Sequence, residues 1–146
     1  MTGDTHRLWG GVAALVVLHD LGALHIGPDF SGGMFAQVAT ILGGAVLAGL
    51  PDVDLKISGL AHRTLTHSFF WAVLLAVLLP FPFGVALAAA FLTHPVLDAL
   101  SGRVQFFWPL PWWVGVGLVK TGSIQETVFN VTLAVYLAFQ WLRVPA

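Results

Sequence analysis

The sequence predicts an all-α polytopic transmembrane bundle of four or five membrane helices, and three observations predict it. The 146 residues are 58% hydrophobic and only 9% charged, whereas a soluble domain carries about 25% charged residues. Mean hydropathy is +0.88. The apolar residues also group into segments of near-membrane length with short polar or Gly/Pro-marked joints, and about 20 such residues cross a hydrocarbon core. The length allows one domain, residues 1–146.

Taken in order, Leu8 to Ile26 is the first spanning segment, and Gly27-Pro28-Asp29 with Ser31-Gly32-Gly33 is the turn after it. Met34 to Leu50 is the second, with Gly43, Gly44 and Gly49 suited to close helix contact. Pro51 disfavours helix at Leu50 and places Asp52 in non-helical backbone. Ser68 to Leu79 is the third segment and is short for a crossing. Pro80-Phe81-Pro82-Phe83 ends it, and Gly84 to Leu100 returns as the fourth. The third and fourth segments are therefore also compatible with a shallow re-entrant hairpin. Arg103 to Val119, rich in Phe, Trp and Pro, reads as an interfacial loop. Ile124 to Leu142 is the fifth segment.

Net charge is -1 with no basic run, so nucleic-acid binding through phosphate contacts is not expected. The absence of cysteine excludes disulfides, thiolate metal sites and cysteine nucleophiles. The first apolar run lacks a small-residue cleavage site and does not read as a signal peptide.

If five segments cross in turn, the N-terminus, the 51–67 loop and the 101–123 loop share one face. That face carries Arg7, Lys56, Arg63, Arg103 and Lys120, against Arg143 alone opposite, and the positive-inside rule makes it cytoplasmic. The same face collects His6, Asp52, Asp54, His62 and His67, with Asp98 and Glu126 at helix ends beside it. Ionisable groups gathered in a bilayer protein mark a functional site by default.

Their chemistry is that of ligands for hard or borderline cations. His94 and Asp98, four apart, project from one helix face. Pro95 between them bends the helix, a distortion tolerated where it lines a polar cavity. His62 and His67 serve one site only if His62 precedes a helix start, with Thr64 or Thr66 as N-cap. Asp52 and Asp54 alternate, so extended backbone would aim both the same way. Asp52, Asp54, Asp98 and Glu126 bring four negative charges to one pocket, and an unpaired Asp at mid-bilayer costs roughly 2.5–3.5 kcal/mol. Lys56 and Arg63 could offset two of these charges. Two divalent ions would offset all four, with His6, His62, His67 and His94 as neutral ligands. Imidazole and carboxylate without thiolate suit zinc, the first choice, or manganese, iron or nickel.

Thr5-His6, Leu50-Pro51-Asp52-Val53-Asp54, His62-Arg63-Thr64-Leu65-Thr66-His67-Ser68, His94-x-x-x-Asp98, Phe107-Trp108-Pro109 and Gly122-x-x-x-Glu126 occur in that order. The pattern resembles the YdjM-like family of inner-membrane metal-dependent hydrolases over nearly the whole chain. More distantly it is similar to the zinc phospholipase C and P1 nuclease group. By that likeness Asp98 would bridge two ions, His94, His67 and Asp52 would complete one, and His6 would help hold the other.

The resemblance implies hydrolysis by metal-activated water at the cytoplasmic edge of the inner membrane, on a phosphate ester, with a lipid phosphodiester as the natural substrate at headgroup depth. Asp54 or Glu126 would be the proton acceptor if not a ligand. Arg63 would orient a carboxylate or grip a substrate phosphate. Each residue also has a plainer reading. Ser123-Ile124-Gln125-Glu126 is a capping box, Asp54 could pair with Lys56 or Arg63, and His19, Asp20 and His25 form a local polar pair or interfacial anchor. Two other function classes compete: an ion or proton transporter, and a membrane scaffold whose polar cluster or metal is structural.

Overall fold

The computed structural model describes residues 1–24 and 32–143. Of the turn expected at 27–33, residues 27–31 lie outside them, as does His25, while Gly32 and Gly33 belong to the second helix. The described residues form five α-helices: α1 (Gly3–Asp20), α2 (Gly32–Leu47), α3 (Phe69–Leu78), α4 (Phe83–Ser101) and α5 (Ile124–Arg143). Two 3₁₀ turns, Pro51–Lys56 and Leu65–His67, lie between α2 and α3. The helical class is as expected, and no strand occurs among the described residues, only an isolated antiparallel bridge between Val104 and Val114.

Membrane crossing is less uniform than expected. Among the described residues only α4 combines the length and the apolarity of a span. Helices α1 and α5 have comparable length but carry polar side chains along it, and α2 and α3 are apolar but short. Ten residues of α3 rise about 15 Å, half of the roughly 30 Å hydrocarbon core.

Helix α1 starts five residues earlier than its apolar run suggests. Thr2 is its N-cap, accepting from the Thr5 N–H at 3.4 Å, and Asp4 in the first turn complements the helix dipole. The helix thereby carries His6 inward. The start of α3 is capped by Ser68, whose Oγ accepts from the Phe70 N–H at 3.3 Å, not by Thr64 or Thr66. Pro51 does not open extended backbone. It occupies the first turn of a 3₁₀ helix, where its missing N–H costs nothing.

Helix α4 is the centre, packed on α1, α2 and α3. Small residues allow the approach. A Cβ on Gly10 of α1 would overlap Ala48 and Gly44, and one on Gly44 would sit 2.9 Å from Ala14 Cβ and 3.0 Å from Ala90 Cβ. Helix α5 is tied to α1 by side chains, with Trp9 Nε1 donating to Asn130 Oδ1 at 2.8 Å.

Apolar clusters around Trp9, Leu18 and Phe91 fill part of the interior, but polar groups are buried among them, while the molecule is oily outside. His6, His67, His94 and Asp98 are among its largest fully buried side chains, whereas Phe35, Val77, Leu118 and Ile124 are at least 70% exposed. Water would not tolerate so much apolar surface; lipid would.

Candidate metal centre

Three pieces of chain deliver the site to one end of the bundle: the first turns of α1, the 3₁₀ turns after α2, and the last turns of α4. His6 arrives on the first, Asp52, Asp54, His62 and His67 on the second, His94 and Asp98 on the third. The loop after α4 closes over them. Phe69 N–H donates to Phe106 O at 2.8 Å and Gln105 N–H to Arg63 O at 2.9 Å.

Asp98 is the hub. Its Oδ1 lies 2.9 Å from the Met1 amino nitrogen and 3.2 Å from His6 Nε2. Its Oδ2 lies 2.9 Å from Arg63 Nε, 3.5 Å from His67 Nε2 and 3.8 Å from His94 Nε2. Arg63 therefore sits against a carboxylate, with Nη2 also donating to Ser101 Oγ at 3.3 Å. It does so from left-handed backbone, φ 63°, a conformation costing a non-glycine residue roughly 1–2 kcal/mol. Asp98, Ser101 and Gln105 are the groups that hold it there.

Proton accounting fixes the imidazoles. His94 Nδ1 is 2.6 Å from the Ala48 carbonyl, a pure acceptor, so Nδ1 carries the hydrogen and Nε2 the lone pair. Thr66 Oγ1 gives its single proton to Asp54 Oδ2 at 2.6 Å and therefore accepts from His67 Nδ1 at 3.0 Å. His67 Nε2 is then also bare. His62 Nδ1, 2.8 Å from Asp54 Oδ1, donates in the same way. Three histidines thus have Nδ1 spent on an orienting acceptor and Nε2 available, the arrangement that prepares imidazole for a metal ion.

The consequence is an unpaired contact. His67 Nε2 and His94 Nε2 are 3.0 Å apart, two lone pairs facing each other with no hydrogen between neutral rings. A proton would relieve this, but burial pushes the His67 imidazole down from its ordinary value, more than the Asp98 carboxylate raises it. His6 adds a second anomaly. It is fully buried, stacked on His94 with ring centroids 3.8 Å apart, and neither ring nitrogen makes an aligned hydrogen bond. Buried imidazole nitrogens rarely go unsatisfied without a reason.

Two groups of side chains present donor atoms within 4.8 Å of one another and could hold a metal ion: Asp52, His62, His67 and Asp98; and His6, Asp52 and His94. Asp52 belongs to both. Its side chain is 30% exposed, and neighbouring His94 holds its carboxyl below the usual range, outweighing burial. The resemblance grouped these residues otherwise, placing His67 with His94 and making Asp98 the shared carboxylate. Here Asp98 belongs to the first group and touches His6 of the second.

Two expected ligands stand apart from these groups. Asp54 does not point with Asp52, because the 3₁₀ turn replaces the extended backbone that would have aligned them. Its oxygens are taken by His62, Thr66 and the Arg63 N–H. Burial pushes its carboxyl up, but these hydrogen bonds outweigh burial and hold it below the usual range. Glu126 lies between α5 and the N-terminus. Its Oε1 accepts from Thr2 N–H, Thr2 Oγ1 and Thr5 Oγ1 at 2.7, 2.8 and 2.6 Å, and Oε2 from Gly122 N–H at 2.7 Å. It is not the capping box either, since the Ser123 N–H donates to Lys120 O. His19 and Asp20 form an exposed pair at 3.1 Å.

No residue pattern marks the Ala48 carbonyl directly as the orienter of His94. The available signal was indirect: Ala48 follows the last residue of α2, where carbonyls lack helical partners.

No curated protein and no solved structure matches the chain, and none of these comparisons shows the distant likeness to zinc phospholipase C and P1 nuclease. A family model described as YdjM inner membrane protein matches residues 1–144. The chain belongs to the YdjM inner membrane protein family.

Proposed function

We propose that the protein is a membrane-bound, metal-dependent hydrolase acting on a phosphate ester, with two divalent ions, zinc foremost, held by His6, Asp52, His62, His67, His94 and Asp98. The observation that carries the reading is the pair of bare nitrogens on His67 and His94, held face to face by Thr66 and by the Ala48 carbonyl. Ions at these groups would supply Lewis acidity to the ester oxygens and lower the pKa of attacking water.

The chain's own residues do the rest. Asp54 and Thr66 orient imidazoles, and Arg63 steadies the buried Asp98 carboxylate. Asp54 and Glu126, the proton acceptors expected from sequence, have their oxygens engaged by hydrogen bonds. Asp52 is the more exposed carboxylate of the two groups and lines a cavity of about 560 Å³, so it would present the bound ions to that cavity. In this reading the α3–α4 pair is a re-entrant hairpin beside membrane segments α1, α2 and α5. The cations Arg7, Lys56, Arg63, Arg103 and Lys120 on the side of the site support a cytoplasmic placement.

Elemental analysis of protein purified without chelator tests the reading. About two ions per chain are expected in the wild type, with loss in His67→Ala and Asp98→Ala. A metal-free wild type that cleaves no phosphodiester after incubation with zinc or manganese would overturn it.

A further inference from the structure

We propose that the substrate seat is bipartite and takes an anionic, phosphate-bearing amphiphile, with its phosphate between Arg7 and Lys56 and one acyl chain along α3. This rests on the hydrolase reading for what happens to the phosphate, and it extends that reading to what is bound and from where.

The first half of the seat is the 560 Å³ cavity at the end of α2. Arg7, Lys56 and Asp52 line it together with Leu50 and Val53. Among the described residues Arg7 has one ionic neighbour, Asp4, at 3.7 Å with side chains 65% and 97% exposed, a contact too solvated to hold it. Lys56 has no ion pair among the described residues. Two cations thus stand beside Asp52, the carboxylate common to both metal-ligand groups, which suits a phosphate presented to the candidate centre.

The second half adjoins it. An apolar cavity of about 360 Å³ runs between the end of α2 and α3, lined by Leu50, Val53, Trp71, Leu74, Leu75 and Phe91. Leu50 and Val53 belong to both cavities, so the charged compartment and the apolar one share a wall. Its volume lies near the lower end of small-ligand sites, which fits one chain better than two. A soluble phosphate ester would leave this half empty, whereas a lipid in the bilayer plane would fill both.

Photolabelling in detergent micelles tests this without metal or turnover. The probe is a lysophosphatidate with a diazirine in its acyl chain, and the control is the matching monoacylglycerol. Adducts of the anionic probe are expected on Val53, Trp71, Leu74 and Leu75. Their yield should fall about tenfold in Arg7→Gln/Lys56→Gln, on the scale of a lost charge-assisted contact. Labelling of α5 in the same samples should stay unchanged, which reports an intact fold. Three results would overturn the proposal: adducts spread evenly over the lipid-facing helices, undiminished groove labelling in the double variant, or equal groove labelling by the neutral probe. Specific labelling of a protein that binds no metal would keep the lipid seat and sink only the hydrolase reading.

Discussion

His67 Nε2 lies 3.0 Å from His94 Nε2, across 27 residues of sequence, and neither nitrogen has a hydrogen to offer the other. Holding two lone pairs at that distance is unfavourable unless cations occupy the two ligand groups to which these nitrogens belong. Metal loading should therefore stabilise the fold, by RT ln(1 + [L]/Kd). Addition of zinc to chelator-stripped protein should raise its melting temperature in detergent, and His94→Ala, which removes a ligand from one of the two groups, should diminish the rise while leaving a folded protein.

Thr66 decides which nitrogen of His67 faces the centre. Thr66→Val keeps the shape and removes the hydroxyl, so His67 loses its fixed tautomer and Asp54 loses a donor. Metal affinity should fall about 10–100-fold, the usual cost of losing an orienting partner. Thr66→Ser should restore most of it. Competition with a chromogenic chelator reads both.

The sign of the pH dependence follows from His67. Its pKa is lowered in the fold, so between its ordinary value of 6.5 and the lower folded value the unfolded chain binds the extra proton. The stability of metal-free protein should be flat above about pH 7 with respect to this group. It should fall as pH drops below 6.5 towards the folded value. Asp54, also held low, adds a further loss only below its ordinary value of 3.8. Melting temperatures from pH 8 to pH 5 check this, and a curve that rises on acidification would contradict it.

Gly44 meets Ala14 and Ala90 across the α1–α2–α4 junction. Gly44→Val should force the helices apart at a cost of roughly 1–3 kcal/mol. Gly43→Ala, whose added methyl would find Leu87 at an ordinary 3.6 Å, should be nearly neutral. Detergent melts of the two variants make the comparison.

Glu126 gathers four hydrogen bonds, three of which fasten α5 to the N-terminal turn and one of which comes from Gly122. Glu126→Ala should leave those donors unpaired and cost about 1–3 kcal/mol. If Glu126 is a staple and not a ligand, metal stoichiometry in that variant should be unchanged, as elemental analysis would show.

Much of this was legible from spacing. His94 and Asp98 share a helix face because four residues is about one turn, and the prolines at 51, 80 and 82 marked joints. What escaped was contact across long sequence distances or fine backbone geometry. The carboxylate of Glu126 meets Thr2, 124 residues away, and no local pattern announces that. Asp52 and Asp54 were separated by a 3₁₀ turn in place of extended backbone. The true start of α1 was hidden because hydropathy marks where oil begins, while the helix begins at its cap, Thr2.

If α3 and α4 form the re-entrant hairpin proposed above, the brevity of α3 sets how deep the chain goes. With Phe69 at headgroup level, ten residues bring the Pro80–Pro82 bend to rest near the middle of the lipid, where a stranded amide hydrogen would be expensive. Two of the three residues there are prolines and carry none, and the carbonyls of both take up the Gly84 and Ala86 N–H groups. In the re-entrant reading the bend would stop in oil without surfacing, and a molecule would then approach the histidines from one leaflet and not from the other.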